Sequence, residues 1–191
     1  MTSEPSHAAV DYPGGIHVRS RWAGSGEGPA VFALSESGGP LTDHGSVAGV
    51  TFDRMCRAEV RVETPAGPWT ARLASPVFDE PAALLWDSEG LLVVKYGFVT
   101  YGFEARTGGL RWTHRSGTPV TVVLGSSRLP HVIVQAEIET FAIAPDGEVA
   151  WRVAHSDVVT DAELVGGRLI LTSYSGQLSA LDPRTGSSAP G

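Results

Sequence analysis

The stretch Phe103-Glu104-Ala105-Arg106-Thr107-Gly108-Gly109-Leu110-Arg111-Trp112 decides the fold, because variants of it recur along the chain. It reads as an alternating strand, a tight turn that ends in glycine, and a second strand with a tryptophan. Copies run from Phe141 to Trp151 and from Leu178 to Gly186, and a weaker one runs from Val60 to Trp69. The four turn glycines, Gly67, Gly108, Gly147 and Gly186, are separated by 41, 39 and 39 residues. A period near 40 with four short strands per repeat is typical of β-propeller blades.

The repeat predicts a small all-β propeller. We expect four blades, at residues 29–73, 81–115, 119–154 and 157–183. The last blade has only three strands, whereas Gly15–Trp22 reads as an outer strand without a blade of its own. Pairing this N-terminal strand with the last blade would close the ring and cover an exposed sheet edge. The alternative is an open half-ring that a second chain completes to eight blades.

The propeller is expected to occupy residues 15–186 as a single domain. Residues 1–14 and 187–191 read as flexible ends.

Two of the quoted segments, Phe103–Trp112 and Ala180–Gly186, resemble the PQQ-like (quinoprotein) propeller repeat, which reads roughly A-x-D-x-x-T-G-x-x-x-W. The resemblance extends from Leu84 to Gly186. It implies that the turn glycines and the tryptophans, such as Gly108 and Trp112, dock neighbouring blades against each other.

The same resemblance implies what this chain lacks. Quinoprotein dehydrogenases have eight blades, two adjacent cysteines over the quinone, and amide and carboxylate ligands for calcium. This chain has a single cysteine, Cys56, and no asparagine. We therefore expect no quinone and no other cofactor. Members of the superfamily that are not enzymes serve as binding scaffolds, which is the closer analogy.

Composition limits the kinds of partner. The formal net charge is −7, and no cluster of Lys or Arg stands out in the sequence, so we expect no nucleic-acid partner. The N-terminus has no apolar leader, and no apolar run is long enough to cross a bilayer. These features predict a cytoplasmic protein that does not bind membranes. One cysteine allows neither an intramolecular disulfide nor a cysteine zinc site.

Candidate site residues come from the loops that enter each first strand and those that join second and third strands. In a propeller these loops meet on one face, at the mouth of the central channel. His155, Asp157, Glu137 and Lys95 are the candidates for catalysis, because carboxylates and imidazoles serve as general acids and bases. Asp161 is a further carboxylate of this kind, and the long loop around Asp43 and His44 is the next place to look.

Binding candidates on the same face are Tyr96, Tyr174, Asp79 and His114. Tyr96, Tyr101 and Tyr174 are interpreted as exposed aromatics, since tyrosine supplies a rigid recognition surface. His114, His155 and Asp157 together could hold a divalent metal, but neither HExxH nor a paired HxH is present, so we assign no metal site.

Two functions follow from these observations. The first is a non-catalytic binding or scaffold propeller with an unidentified protein or small-molecule partner. The alternative is a hydrolase or lyase, with or without a metal requirement, whose site lies at the channel mouth. Either protein could be a monomer or a homodimer.

Overall fold

A computed structural model of the chain describes residues 5–24, 41–43 and 55–189. The described residues form sixteen strands in four sheets, with one short 3-10 helix at Asp87–Glu89. Apart from one parallel pair in the first sheet, neighbouring strands run antiparallel. The chain is therefore an all-β protein, as the repeat predicts.

The second, third and fourth sheets are simple meanders, in which each strand pairs with the next along the chain. The second contains β6 (Ala82–Trp86), β7 (Leu91–Tyr96), β8 (Val99–Glu104) and β9 (Leu110–Arg115). The third contains β10 (Val120–Leu124), β11 (Val132–Ala136), β12 (Glu139–Ile143) and β13 (Val149–Ala154). The fourth contains β14 (Val159–Val165), β15 (Arg168–Ser173) and β16 (Leu178–Leu181).

The first sheet is built from a different set of strands than the sequence suggested. It contains β1 (Ser6–Tyr12), β2 (Ile16–Ala23), β3 (Leu41–Asp43), β4 (Cys56–Glu63) and β5 (Trp69–Ser75), in the spatial order β1-β2-β4-β5-β3. Ser6–Tyr12, which the sequence assigned to a flexible end, pairs with β2 along its whole length. Much of the predicted first blade, residues 29–73, lies outside the described residues.

The N-terminal strand does not close a ring in this structure. β2 pairs with β4, with Val18 opposite Val62, instead of with the fourth sheet. Its buried residues Ile16, Val18 and Trp22 belong to the core between the first and second sheets, and this apolar face fixes its place. The predicted pairing of residues 15–23 with the last blade is therefore wrong. Within the described residues the fourth sheet has three strands, and β16 is extended only by an isolated bridge between Leu181 and Ser188.

Three apolar seams hold the four sheets in chain order. We call the seams between successive sheets the first, second and third seam. Each has a cluster of buried side chains from both sheets, which includes Val60 and Leu92 in the first, Val93 and Val134 in the second, and Ile133 and Leu169 in the third. Among the described residues, no such cluster joins the first sheet to the fourth.

One tryptophan docks each seam, as the repeat implies. The indole Nε1 of Trp69 donates a hydrogen bond to the Ala105 carbonyl of the next sheet at 2.9 Å. Gly108 lies under this indole with φ at 75°, and a Cβ there would approach the ring to 2.6 Å. Only glycine fits, because both the backbone conformation and the contact exclude a side chain. Trp112 with Gly147 and Trp151 with Gly186 repeat the arrangement in the second and third seams.

Candidate functional site

Two sets of loops meet on one face of the molecule, which we call the loop face. Backbone hydrogen bonds join the loops between second and third strands to the loops that enter the next sheet. Ser116 N donates to Phe98 O at 2.8 Å, and His155 N donates to Ile138 O at 2.8 Å. Within the fourth sheet, Tyr174 N of the loop after β15 donates to Val158 O, just before β14, at 2.7 Å. These hydrogen bonds join the neighbouring loops of this face in pairs.

Lys95 and Asp79 come together on the loop face as a partly buried ion pair. Lys95 Nζ donates to Asp79 Oδ1 at 2.7 Å, and the Lys95 side chain is only 8% exposed. The other carboxylate oxygen of Asp79 accepts a hydrogen bond from Gly97 N at 2.7 Å. This carboxylate thus fixes the loop between β7 and β8 and neutralises the lysine. The Lys95 amine is held by Asp79 rather than by Glu137, with which the sequence grouped it.

His155 ends a chain of hydrogen bonds inside the third sheet. Thr140 Oγ1 donates to Gln135 Oε1 at 2.5 Å and lies 2.6 Å from His155 Nε2. Because the single threonine proton goes to the amide oxygen, His155 Nε2 must be the donor to the threonine oxygen. In the neutral imidazole, Nδ1 is then the acceptor. Burial lowers the pKa of His155, which favours this neutral form.

Asp157 stabilises the adjacent loops. One oxygen accepts Val158 N at 2.8 Å and the other accepts Ser175 N at 3.0 Å. These hydrogen bonds, those from Ser175 first, lower the pKa of the Asp157 carboxyl. The carboxylate stays charged at neutral pH and connects the loop before β14 to the loop after β15.

His114 lies apart from His155, at the second seam. Its ring packs on Phe141 with centroids 4.6 Å apart, and its Nε2 accepts a hydrogen bond from Arg152 at 3.1 Å. Burial, and then the Arg152 charge, lower the pKa of His114. Since His114 faces a guanidinium and His155 faces Thr140, the structure does not bring the two imidazoles into one metal centre. The described residues contain no group of three or more potential metal ligands of the His, Cys, Asp or Glu type.

The tyrosines divide between core and surface. Tyr174 is 81% exposed on the loop face, as predicted. Tyr96 and Tyr101 are fully buried in the first seam, and burial raises the pKa of both hydroxyls, that of Tyr101 to about 12. Their interpretation as exposed aromatics is wrong, because their sheet face packs against the first sheet. Glu137 lies in the loop between β11 and β12, and Asp161 lies within strand β14. The side chains of Asp43 and His44 are outside the described residues.

A groove of about 220 Å³ opens at the loop-face end of the third seam. It is lined by Ala154, His155, Ser156, Asp157, Val159, Leu171, Ser173, Gln177 and Ser179. Ser179 explains its presence, since the matching positions of the two preceding sheets hold Tyr101 and Phe141, which fill their seams. Sequence reasoning missed Ser179. An alignment of the repeats would have shown that this serine replaces an aromatic residue, because the matching positions lie two residues before Phe103, Ile143 and Leu181.

Acidification should destabilise the protein through His155. The pKa of His155 is lowered in the folded state, so the unfolded chain binds more protons as the pH falls below the ordinary histidine value of about 6.5. Stability is therefore full above that value and is lost as pH falls through the folded-state pKa. Urea unfolding at about pH 7.5 and about pH 5.5 should show a smaller loss of unfolding free energy for His155→Gln than for the wild type. An equal loss of unfolding free energy in the wild type and in His155→Gln would contradict this assignment. The pKa of His114 is also lowered, but His114 is present in both proteins and contributes equally to each.

The repeat also matches a known protein family. A family model described as the outer membrane protein assembly factor BamB matches residues 97–189. The PQQ-like propeller repeat recognised in the sequence is thereby confirmed for this part of the chain. A comparison with curated protein sequences found no match.

Two solved structures share the architecture. BamB from Moraxella catarrhalis is similar with a TM-score of 0.50 and 18% identity, over 72% of this chain and 49% of that one. The computationally designed protein Ika4 is similar with a TM-score of 0.51 and 12% identity, over 72% of this chain and 96% of that one. At these identities the likeness concerns the fold alone. This chain spans about half the length of the BamB chain.

Proposed function

We propose that this chain is a non-catalytic binding or scaffold propeller, and that its loop face holds the partner. The observation that carries the proposal is that the candidate acidic and basic side chains serve to hold loops in place. Asp79, Lys95 and Asp157 are all engaged in contacts that fix loops. Rigid loops on a sheet scaffold make a preorganised recognition surface, whereas a general acid or base must be able to exchange its proton with a substrate.

The groove beside His155 and the exposed Tyr174 form the central part of this surface. Its lining offers hydroxyl groups, the Gln177 amide and the Asp157 carboxylate, and includes neither Lys nor Arg. Such a groove favours a polar side chain that is neutral or positively charged. Placement in the cytoplasm and the lack of a nucleic-acid partner remain predictions from the sequence.

Affinity capture with matched variants tests the binding role. Wild-type protein should retain a stoichiometric partner from a native lysate, and Tyr174→Ala combined with Gln177→Ala should lose it. Glu148→Ala, an exposed change near the turn at the opposite end of the third sheet, should bind as the wild type does. Capture that survives the loop-face change, or no stoichiometric partner at all, would contradict the proposal.

An enzyme with its site at the groove is the second candidate. The fixed tautomer of His155 favours it, because a neutral imidazole with a free acceptor nitrogen can act as a general base. Turnover of any ester, amide or lyase substrate that is abolished in His155→Ala, while the protein stays folded, would establish this reading in place of the first.

We further propose that a second copy completes the open arc of sheets. The face of the fourth sheet that points away from the third seam is bare, with Leu178 68% exposed, whereas the matching Thr100 and Thr140 are completely buried. This face also carries Asp161 and Glu163, where the third sheet has the aliphatic Val122 and Leu124. Charge complementarity across an interface favours a basic partner for this acidic face.

The first sheet offers such a partner at the other end of the arc. Opposite its apolar face, β2 and β4 carry Arg19, Arg21 and Arg61, which form ion pairs with Glu59 and Glu63 of the same face. Glu59 is buried, so the surface of this face is mainly basic. Arg19 is 66% exposed, so at least part of this face can be reached. Docking the fourth sheet of one copy on the first sheet of another, twice, gives a closed ring with two-fold symmetry.

Sedimentation equilibrium tests this assembly. The wild type should have twice the chain mass of 20.1 kDa, and Leu178→Arg should have the mass of a single chain. Leu178 is already exposed, so the change should not harm the fold of one copy. A wild type that stays monomeric up to high micromolar concentration would refute the pairing.

A further inference from the structure

Two adjoining cavities lie at the end of the third seam opposite the loop face. One has a volume of about 380 Å³ and lies between the loop before β11 and the turns that flank β14 and β16. The other has a volume of about 470 Å³ and lies along the turn after β16. Gly167 and Arg184 line both cavities, so the two lie side by side, and we refer to them together as the recess. Cavities of this size suit a small molecule.

Three arginines surround this recess. Arg128 and Arg184 line the first cavity, and Arg168 and Arg184 line the second. All three side chains are exposed, and no salt bridge within residues 5–24 and 55–189 involves any of them. The one carboxylate in the lining, Asp182, accepts a hydrogen bond from Arg184 N at 2.8 Å. In a chain with a net charge of −7, this is a local concentration of positive charge.

The turn that carries Arg184 is held rigidly. The Pro183 carbonyl accepts hydrogen bonds from buried His131 at 2.7 Å and from the Trp151 indole at 3.2 Å. Gly186 N closes the turn on Asp182 O at 2.8 Å. The backbone beneath Arg184 is therefore fixed before any ligand arrives, which reduces the entropy cost of binding.

Arg106 occupies the turn position of Arg184 in the second sheet, but the grouping of three arginines at one seam is not a property of the repeat. At the corresponding end of the second seam, the turn after β6 carries Asp87 and Glu89, and the turn after β12 carries Asp146. The third seam has Arg128 and Arg184 in the corresponding segments. Docking of one sheet on another does not require these arginines, because the second seam docks in the same way with acidic side chains.

We propose that this recess binds a small molecule with two or more phosphate groups. Guanidinium groups bind phosphate oxygens through paired, charge-assisted hydrogen bonds, and three of them around one recess can contact two phosphates. The site lies at the opposite end of the sheets from the loop face. It would therefore be independent of the partner surface under "Proposed function".

Calorimetric titration with inorganic pyrophosphate tests the proposal on the full chain. Wild type should bind it, with an affinity that falls as salt is added. Arg184→Gln, and separately Arg128→Gln with Arg168→Gln, should weaken binding by about tenfold or more, since each loses a charge-assisted hydrogen bond. Arg106→Gln is the matched control, because Arg106 is the exposed residue at the same turn position of the second sheet.

Several results would overturn the site. These are no binding at millimolar pyrophosphate, equal loss in Arg106→Gln, or no loss in the recess variants. All four arginines are exposed, so circular dichroism should show the wild-type fold in each variant. Binding to the recess that also fails in the loop-face variant Tyr174→Ala with Gln177→Ala would refute the independence of the two surfaces.

Discussion

Trp69→Ala should lower the free energy of unfolding by about 3–5 kcal/mol, the range for deleting a large core aromatic. Trp69 is 2% exposed, and its indole bonds to the second sheet while it covers Gly108. Alanine would leave a cavity in the first seam and an unpaired carbonyl at Ala105. Trp112→Ala should have a similar effect, and Trp151→Ala a smaller one, because Trp151 is only half-buried.

Urea unfolding of the three variants measures this gradient. Tyr174→Ala is the control, since a side chain that is 81% exposed should change the stability little. A near-neutral Trp69→Ala, or a Trp151→Ala that costs more than Trp69→Ala, would mean that the tryptophans do not dock the sheets as described.

Deleting residues 1–23 should prevent folding, whereas deleting residues 1–13 should leave a folded protein of reduced stability. The shorter deletion removes β1, whose side chains are mostly exposed. The longer one also removes Ile16, Val18 and Trp22 from the core and leaves β4 as an unpaired edge. Each buried side chain contributes about 1.5–3 kcal/mol, so their combined loss approaches the whole stability of a typical domain.

Amide dispersion in NMR spectra of the two deletions reports the outcome directly. A dispersed spectrum for the chain that starts at residue 24 would show that β2 is dispensable, and would contradict its place in the first sheet.

The repeat made the last three sheets predictable. The predicted blades 81–115, 119–154 and 157–183 contain strands β6 to β16, because local turn chemistry recurs there with a constant spacing. The first sheet was not predictable in the same way. Strands β2 and β4 are far apart in sequence, and the alternating pattern of Ile16–Ala23 suits any strand with one covered face. Alternation alone cannot identify the strand with which it pairs.

The candidate site shows the same limit. The repeat predicts which loops are neighbours, so the position of His155 and Asp157 beside one groove could be predicted from the sequence. The partners of these side chains were not, because Lys95 with Asp79 and His155 with Thr140 depend on side-chain packing. Tyr96 was misplaced since both faces of a central blade strand are buried, which periodicity does not reveal.

The central claim is that the N-terminal strand β2 belongs to the first sheet and does not pair with the fourth. Nuclear Overhauser contacts in the full chain test it most directly. The account predicts cross-strand contacts of Val18 with Val62 and of Ser20 with Val60. Contacts between Ile16–Ala23 and Leu178–Leu181 in their place would show that the strand closes a ring, and would contradict the account.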